Sequence, residues 1–117
     1  MAGAVTLYGI ANCDQVRHAR AWLAARKIDY RFHDFKREGL SPALATRWIE
    51  HAGLEALLNR KGTTWRKLDD NQRAAAATAT GACALMTTQP SIVKRPLLDL
   101  GGHITIGFAP QTYETLF

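Results

Sequence analysis

Apolar residues recur along this chain with two different periods, and the switches between them mark out the elements. Val5-Thr6-Leu7-Tyr8 is a short β-branched and aromatic run that stops at Gly9, which predicts a buried first strand. From Asp14 to Arg26 the period changes. Val16, Ala19, Trp22 and Leu23 recur at helical spacing, and Arg17, His18, Arg20 and Arg26 form the polar face. Residues 28–35, Ile28-Asp29-Tyr30-Arg31-Phe32-His33-Asp34-Phe35, alternate again and predict a second strand. Strand, helix, strand in that order implies a parallel pair with a right-handed crossover.

Ser41-Pro42 places a capping hydroxyl and a proline where a helix starts, and Leu44, Trp48 and Ile49 line its apolar side. Residues 53–58 read as a short turn or helix and residues 62–65 as a loop. Two alanine-rich helices are expected over 70–79 and 81–88, broken near Thr80-Gly81. Residues 97–100 and 103–108 then form a hairpin around Gly101-Gly102, and residues 110–116 a closing helix. The order β-α-β, helical block, β-β-α is an α/β, thioredoxin-like topology with a mixed four-stranded sheet. Its helical insertion, about residues 41–88, precedes the C-terminal hairpin, all in one domain over residues 1–117. A chain of 117 residues is long enough to bury such a core.

Composition narrows the picture. Hydrophobic residues make up 47% and charged residues 21%, which fits a globular chain and argues against global disorder. The net charge of +5 favours anionic partners: an oxyanion, an acidic peptide such as glutathione, or nucleic acid. The basic residues are scattered and form no tail, which demotes nucleic acid. Met1–Val5 lacks a positive region and reads as the start of the first strand, not a signal peptide. No apolar run approaches the roughly 20 residues of a membrane span. Two cysteines make no disulfide framework, so both are expected as reduced, cytoplasmic thiols. The four histidines show no ligand spacing, and no metal site is expected.

The candidate chemistry sits in Tyr8-Gly9-Ile10-Ala11-Asn12-Cys13-Asp14. A strand ends, a short loop follows, and Cys13 falls at the start of a helix. Free N–H groups and the positive end of the helix dipole there stabilise thiolate over thiol. A thiolate attacks an oxidised sulfur or an arsenic centre. The alternative is a packed structural cysteine, and the charge of Asp14 opposes the thiolate. Position 16 is valine, so there is no Cys-x-x-Cys and no neighbouring resolving thiol. Resolution must come from Cys83 or from an external thiol such as glutathione, and Cys83 itself reads as a packed core residue.

Two basic stretches suit an anion, Asn59-Arg60-Lys61 and Lys94-Arg95-Pro96. Arginine offers a forked donor set to oxyanions and carboxylates. Arg60 and Arg95 are the candidates, while Lys61, Lys67 and Lys94 read as solvated loop charges. Arg95-Pro96 ahead of a strand in this topology also predicts a cis peptide.

Taken together, Tyr8-Gly9-Ile10 with Cys13-Asp14, Phe32-His33-Asp34, Leu57-Leu58-Asn59-Arg60, Gly62 to Leu68, Leu85-Met86, Ile92 with Lys94-Arg95-Pro96-Leu97-Leu98, and Gly107-Phe108 resemble the YffB-like branch of the ArsC/Spx, arsenate-reductase-like family. The resemblance runs over essentially the full chain. It implies a catalytic cysteine at Cys13, with Asn12 shaping its loop, and three arginines around an oxyanion. Arg60 matches the first and Arg95 the second. The third position holds Phe108, which removes a cation that arsenate needs. What the resemblance then implies is a glutathione-dependent thiol oxidoreductase. Lys94 and Arg95 would hold a glutathione carboxylate, with no tightly bound cofactor. Separately, the sequence shows no conspicuous exposed apolar stripe, so a monomer is the default state. The Spx branch implies the alternative: a redox-sensing regulator that contacts RNA polymerase.

Overall fold

The computed structural model describes residues 4–117; the reading of Met1–Gly3 as strand start falls outside them. In chain order the elements are β1 (Thr6–Gly9), α1 (Asp14–Ala25), β2 (Arg31–Asp34), α2 (Phe35–Glu38), α3 (Pro42–Ala52), α4 (Leu54–Leu57), α5 (Thr63–Arg66), α6 (Asp70–Ala75), α7 (Ala79–Thr88), a 3-10 turn (Pro90–Ile92), β3 (Leu97–Asp99), β4 (Ile104–Ile106) and α8 (Pro110–Leu116). The described residues divide into two compact units, residues 4–34 with 95–117, and residues 35–94.

The first unit is the sheet. Its four strands run in the order β2-β1-β3-β4. β1 pairs parallel with β2 (Leu7 opposite Phe32) and antiparallel with β3 (Leu7 opposite Leu98), and β3 pairs antiparallel with β4. This is the expected mixed, thioredoxin-like sheet. Val16, Ala19 and Leu23 are the buried stripe of α1. Leu7, Ala19, Leu23, Leu98 and Tyr113 form one core cluster, with Trp22 and Phe108 against it. The Tyr113 ring meets Trp22 and Phe108 edge-on, at 5.5 and 4.8 Å between centroids. Its hydroxyl has no hydrogen-bond partner among the described residues. Burial pushes the phenol up, since the charged form is the one desolvation penalises.

Gly9 sets how closely α1 can approach β1. A Cβ there would sit 2.6 Å from Cγ2 of Val16, so only glycine allows this strand and helix to touch. The second strand is shorter than its alternation implied. It ends at Asp34, because Phe35 turns into α2 and is buried against Trp48, 6.2 Å between ring centroids.

The second unit is helical. Ser41 caps α3 as expected: its hydroxyl accepts from the Leu44 N–H at 3.2 Å, with Pro42 in the first turn. Ala45 and Trp48 are the buried positions of that helix. Two expectations are corrected here. Residues 63–66 are not a loop but one helical turn, whose last carbonyls are held by a side chain from the next helix. Arg73 donates to the Trp65 and Arg66 carbonyls at 3.3 and 2.8 Å. The break between the alanine-rich helices falls at Ala76–Thr78, not at Thr80-Gly81. Asp69 and Gln72 form a reciprocal capping box at the start of α6. Thr78 caps α7 by accepting from the Gly81 N–H at 3.1 Å. Gly81 therefore lies inside α7, where a Cβ would come within 2.1 Å of the Ala75 carbonyl oxygen. No helix among the described residues is long and apolar enough to cross a membrane.

Candidate active site

β1 delivers the chain to Cys13. Ile10 is buried and anchors the loop, Asn12 is exposed, and Cys13 is half-buried at the N-cap of α1. Its backbone is extended (φ −142°, ψ 127°), and its carbonyl accepts the Arg17 N–H at 2.9 Å, closing the first turn. The thiol makes no capping hydrogen bond, so the sulfur is not tied to the helix it precedes. The first N–H groups of a helix have no intrahelical acceptor, and with the dipole of a 12-residue helix they favour negative charge at this end.

Sequence reasoning set Asp14 against a thiolate. In the structure Asp14 is paired with the Arg17 guanidinium, which also donates to Asn12 Oδ1 at 3.3 Å. One cation thus links the two residues that flank Cys13. Sequence reasoning had left Arg17 on the solvated face of α1. The signal available was its spacing, three after Asp14 and four after Cys13, which puts it over the first turn. The pair is largely exposed, so its effect is local charge balance and loop shape, with little stability attached.

Arg95 belongs to the same unit and leads into β3, the neighbour of β1 on the side away from β2. Tyr8 of β1 lies opposite Leu97 of β3, so Arg95-Pro96 runs beside the end of β1 from which the Cys13 loop departs. The Arg95–Pro96 peptide is cis, and the Pro96 carbonyl accepts the Gly107 N–H at 2.8 Å. Arg95 is half-buried. Phe108, at the position where the resemblance implies a third arginine, packs into the core on Tyr113.

Arg60 and Lys94 belong to the helical unit, which builds a cationic cleft of its own. Leu58 bridges to Val93; the Asn59 N–H donates to the Ile92 carbonyl and the Lys94 N–H to the Leu57 carbonyl, both at 2.7 Å. This short pairing places Arg60, Lys61 and Lys94 around a cavity of about 380 Å³, with Glu55 and Asn59 also in its wall. Asn59 Oδ1 accepts the Lys61 N–H at 3.2 Å and fixes the loop. The Arg60 guanidinium lies 5.6 Å from the Trp65 ring centre. Lys61, read from sequence as a solvated charge, lines the same cavity as Arg60. Three cations facing one carboxylate is an anion's environment.

Cys83 is not packed in the core, contrary to expectation. Ala82, Leu85 and Met86 are the buried stripe of α7, and Cys83 lies beside that stripe, half-buried. It donates to the Pro42 carbonyl at 3.5 Å and lies 3.5 Å from Thr46 Oγ1.

Comparison with known proteins fits this geometry. The model of the ArsC family matches residues 8–116. The solved structure of a YffB protein superimposes with a TM-score of 0.90 at 44% identity, covering 96% of this chain and 97% of that one. An arsenate reductase (ArsC) related protein from Brucella melitensis is 47% identical, with a TM-score of 0.74 and coverage of 96% and 92%. A global transcriptional regulator Spx from Streptococcus pyogenes is 26% identical over 106 residues, 89% of this chain and 78% of the regulator.

Proposed function

The chain belongs to the ArsC family, and from that premise we propose that it is a cytoplasmic, monomeric thiol oxidoreductase with Cys13 as nucleophile and glutathione as reductant. The observation that carries this reading is the Cys13 sulfur at the N-terminus of α1, free of any capping bond. In the reaction, the Cys13 thiolate attacks one sulfur of a disulfide. The S–S bond breaks, the departing sulfur leaves as a thiolate and takes up a proton, and a mixed disulfide remains on Cys13. A glutathione thiolate then attacks the distal sulfur of that adduct. Cys13 leaves as thiolate, and the former substrate half departs joined to glutathione. Electrons balance, since each exchange breaks one S–S bond and forms another.

Arg95, beside the exit of β1, orients the anionic group of the bound thiol, and Asn12 shapes the loop. Within the helical unit, the Arg60, Lys61 and Lys94 cleft suits a carboxylate or another small anion on its own account. Arsenate turnover is expected to be slight, because Phe108 supplies no cation where a third arginine would stand.

The test is mass spectrometry after incubation with oxidised glutathione. One glutathione on Cys13, removed by reduced glutathione, supports the reading. No adduct, or equal labelling of Cys83, overturns it. A second reading rests on the likeness to the Spx regulators: the chain is a redox-sensing binding protein for RNA polymerase. Retention of polymerase by the immobilised chain, combined with no glutathione adduct, favours that reading.

A further inference from the structure

Beside the buried stripes of α3 and α7 runs a second pair of stripes that stays open. Pro42, Thr46, Ile49 and Glu50 recur at helical spacing on α3, and Ala79, Cys83, Ala84 and Thr87 on α7. Together they enclose a hollow of about 460 Å³, because the α7 side chains there are too small to fill it. That volume lies within the range of small-molecule sites, roughly 300–1,000 Å³. Its walls are mostly carbon, and its polar side chains are the Thr46, Thr80 and Thr87 hydroxyls, the Cys83 thiol and the Glu50 carboxylate. The Thr46 hydroxyl already donates to the Pro42 carbonyl and the Thr87 hydroxyl to the Ala84 carbonyl, both at 2.8 Å. The Cys83 thiol is likewise turned on the Pro42 carbonyl. The one charged residue in the lining is Glu50, which has no ion-pair partner among the described residues. Among the described residues no lysine, arginine or histidine lines the hollow, although the chain carries a net charge of +5.

We propose that this groove is a ligand site for a small apolar ammonium compound, its hydrocarbon body between α3 and α7 and its ammonium on the Glu50 carboxylate. An ammonium brings a positive charge and three donors, which complements a wall whose charged group is the Glu50 carboxylate and whose hydroxyl oxygens can accept. An anionic ligand would meet a carboxylate with no cation beside it, and glutathione, with two carboxylates, fits poorly for the same reason. The proposal is independent of the Cys13 reading.

The test uses the isotope-labelled full chain and three probes of one shape: 2-phenylethylamine, 2-phenylethanol and 3-phenylpropionate. The amine is expected to shift the amides of residues 43–50 and 79–87 saturably and to slow alkylation of Cys83. The alcohol should bind more weakly, and the carboxylate should bind least. Glu50→Gln, at an exposed position that leaves folding intact, should weaken the amine about 3- to 10-fold and leave the alcohol unchanged. Ala84→Phe, which fills the hollow from an exposed site, should abolish amine binding. Equal binding of carboxylate and amine, or an unchanged amine affinity in Glu50→Gln, overturns the proposal. So does concentration dependence of the same amide shifts without any probe, which would assign the groove to a second copy of the chain.

Discussion

Cys13 and Cys83 are the same functional group, both half-buried and each on a helix, yet the chain surrounds them differently. Cys13 stands at the end of α1, where backbone donors lack partners and a strand has just handed over. Cys83 stands within α7, where every backbone donor near it belongs to the helix, and its own S–H turns to the Pro42 carbonyl. A thiol at a helix end meets unsatisfied donors, whereas a thiol within a helix meets only neighbouring side chains and carbonyls. The contrast predicts that reactivity in this fold follows from where in a helix the sulfur sits. The surroundings extend the contrast: Arg17, Asn12 and Arg95 lie in the unit of Cys13, and an acceptor-rich apolar hollow lies at Cys83.

The largest effect separates the two thiols. Cys13→Ser is expected to lower disulfide-reducing turnover by about 10³-fold or more, since no other nucleophile is placed at the start of α1. Cys83→Ser should keep turnover within about twofold. Steady-state assays with a mixed glutathione disulfide measure both. If Cys83→Ser lost as much as Cys13→Ser, the two sulfurs would act as a pair and the contrast would fail.

Next in size is Arg95→Ala. Losing a charge-assisted contact to an anionic group costs about 1.5–3 kcal/mol, which is about 10- to 100-fold in kcat/KM. The loss should appear mainly in KM for the anionic thiol, and Arg95→Lys should recover part of it. An unchanged KM would remove Arg95 from the site and leave Cys13 with the helix end alone.

These predictions rest on features of unequal legibility. The handover from β1 to α1 was readable because it is local: an apolar strand, a glycine, a loop, then helical spacing. The start of α3 at Ser41-Pro42 and the hairpin around Gly101-Gly102 were readable for the same reason. What escaped was held by contacts distant in sequence. The turn Thr63–Arg66 depends on Arg73, and Phe35 leaves the strand for Trp48. The run Ala74–Ala77 carries no pattern, so the break between α6 and α7 was invisible there and was displaced onto the nearest glycine. In the candidate site, Cys13 was legible from its place in the order of elements. Lys61 was not, because its neighbourhood with Lys94 exists only once Leu58 bridges to Val93. Arg17 was within reach of its spacing, three after Asp14, but that spacing also fits a solvated helix face.

Gly9→Ala probes the handover itself. The added methyl would meet Val16, both residues being buried, and overpacking of that kind costs about 1–3 kcal/mol. Chemical denaturation should show the loss, and the double variant with Val16→Ala should recover part of it, because the two sites share one contact. Alkylation of Cys13 should slow in Gly9→Ala, and that of Cys83 should not. Equal acceleration of both would mean that the substitution acts on global stability and says nothing about how β1 positions the thiol.

The smallest effect turns the comparison from reactivity to stability. α7 is capped by Thr78, whose hydroxyl accepts from the Gly81 N–H, while α1 is capped by Cys13, whose thiol makes no capping hydrogen bond. Thr78→Ala should therefore cost about 1 kcal/mol, the usual loss when a capping oxygen is removed. Cys13→Ser should do the reverse: serine supplies the missing oxygen, and the same variant that loses turnover should gain about 0.5–1 kcal/mol. A cysteine at this position leaves first-turn donors without a side-chain acceptor, and those are the donors that stabilise a thiolate. Urea midpoints of the two variants, compared with the parent chain, decide the matter. If Cys13→Ser were no more stable than the parent, the first-turn N–H groups of α1 would already have acceptors. They would then be unavailable to the sulfur, and Cys13 would have no more claim to reactivity than Cys83.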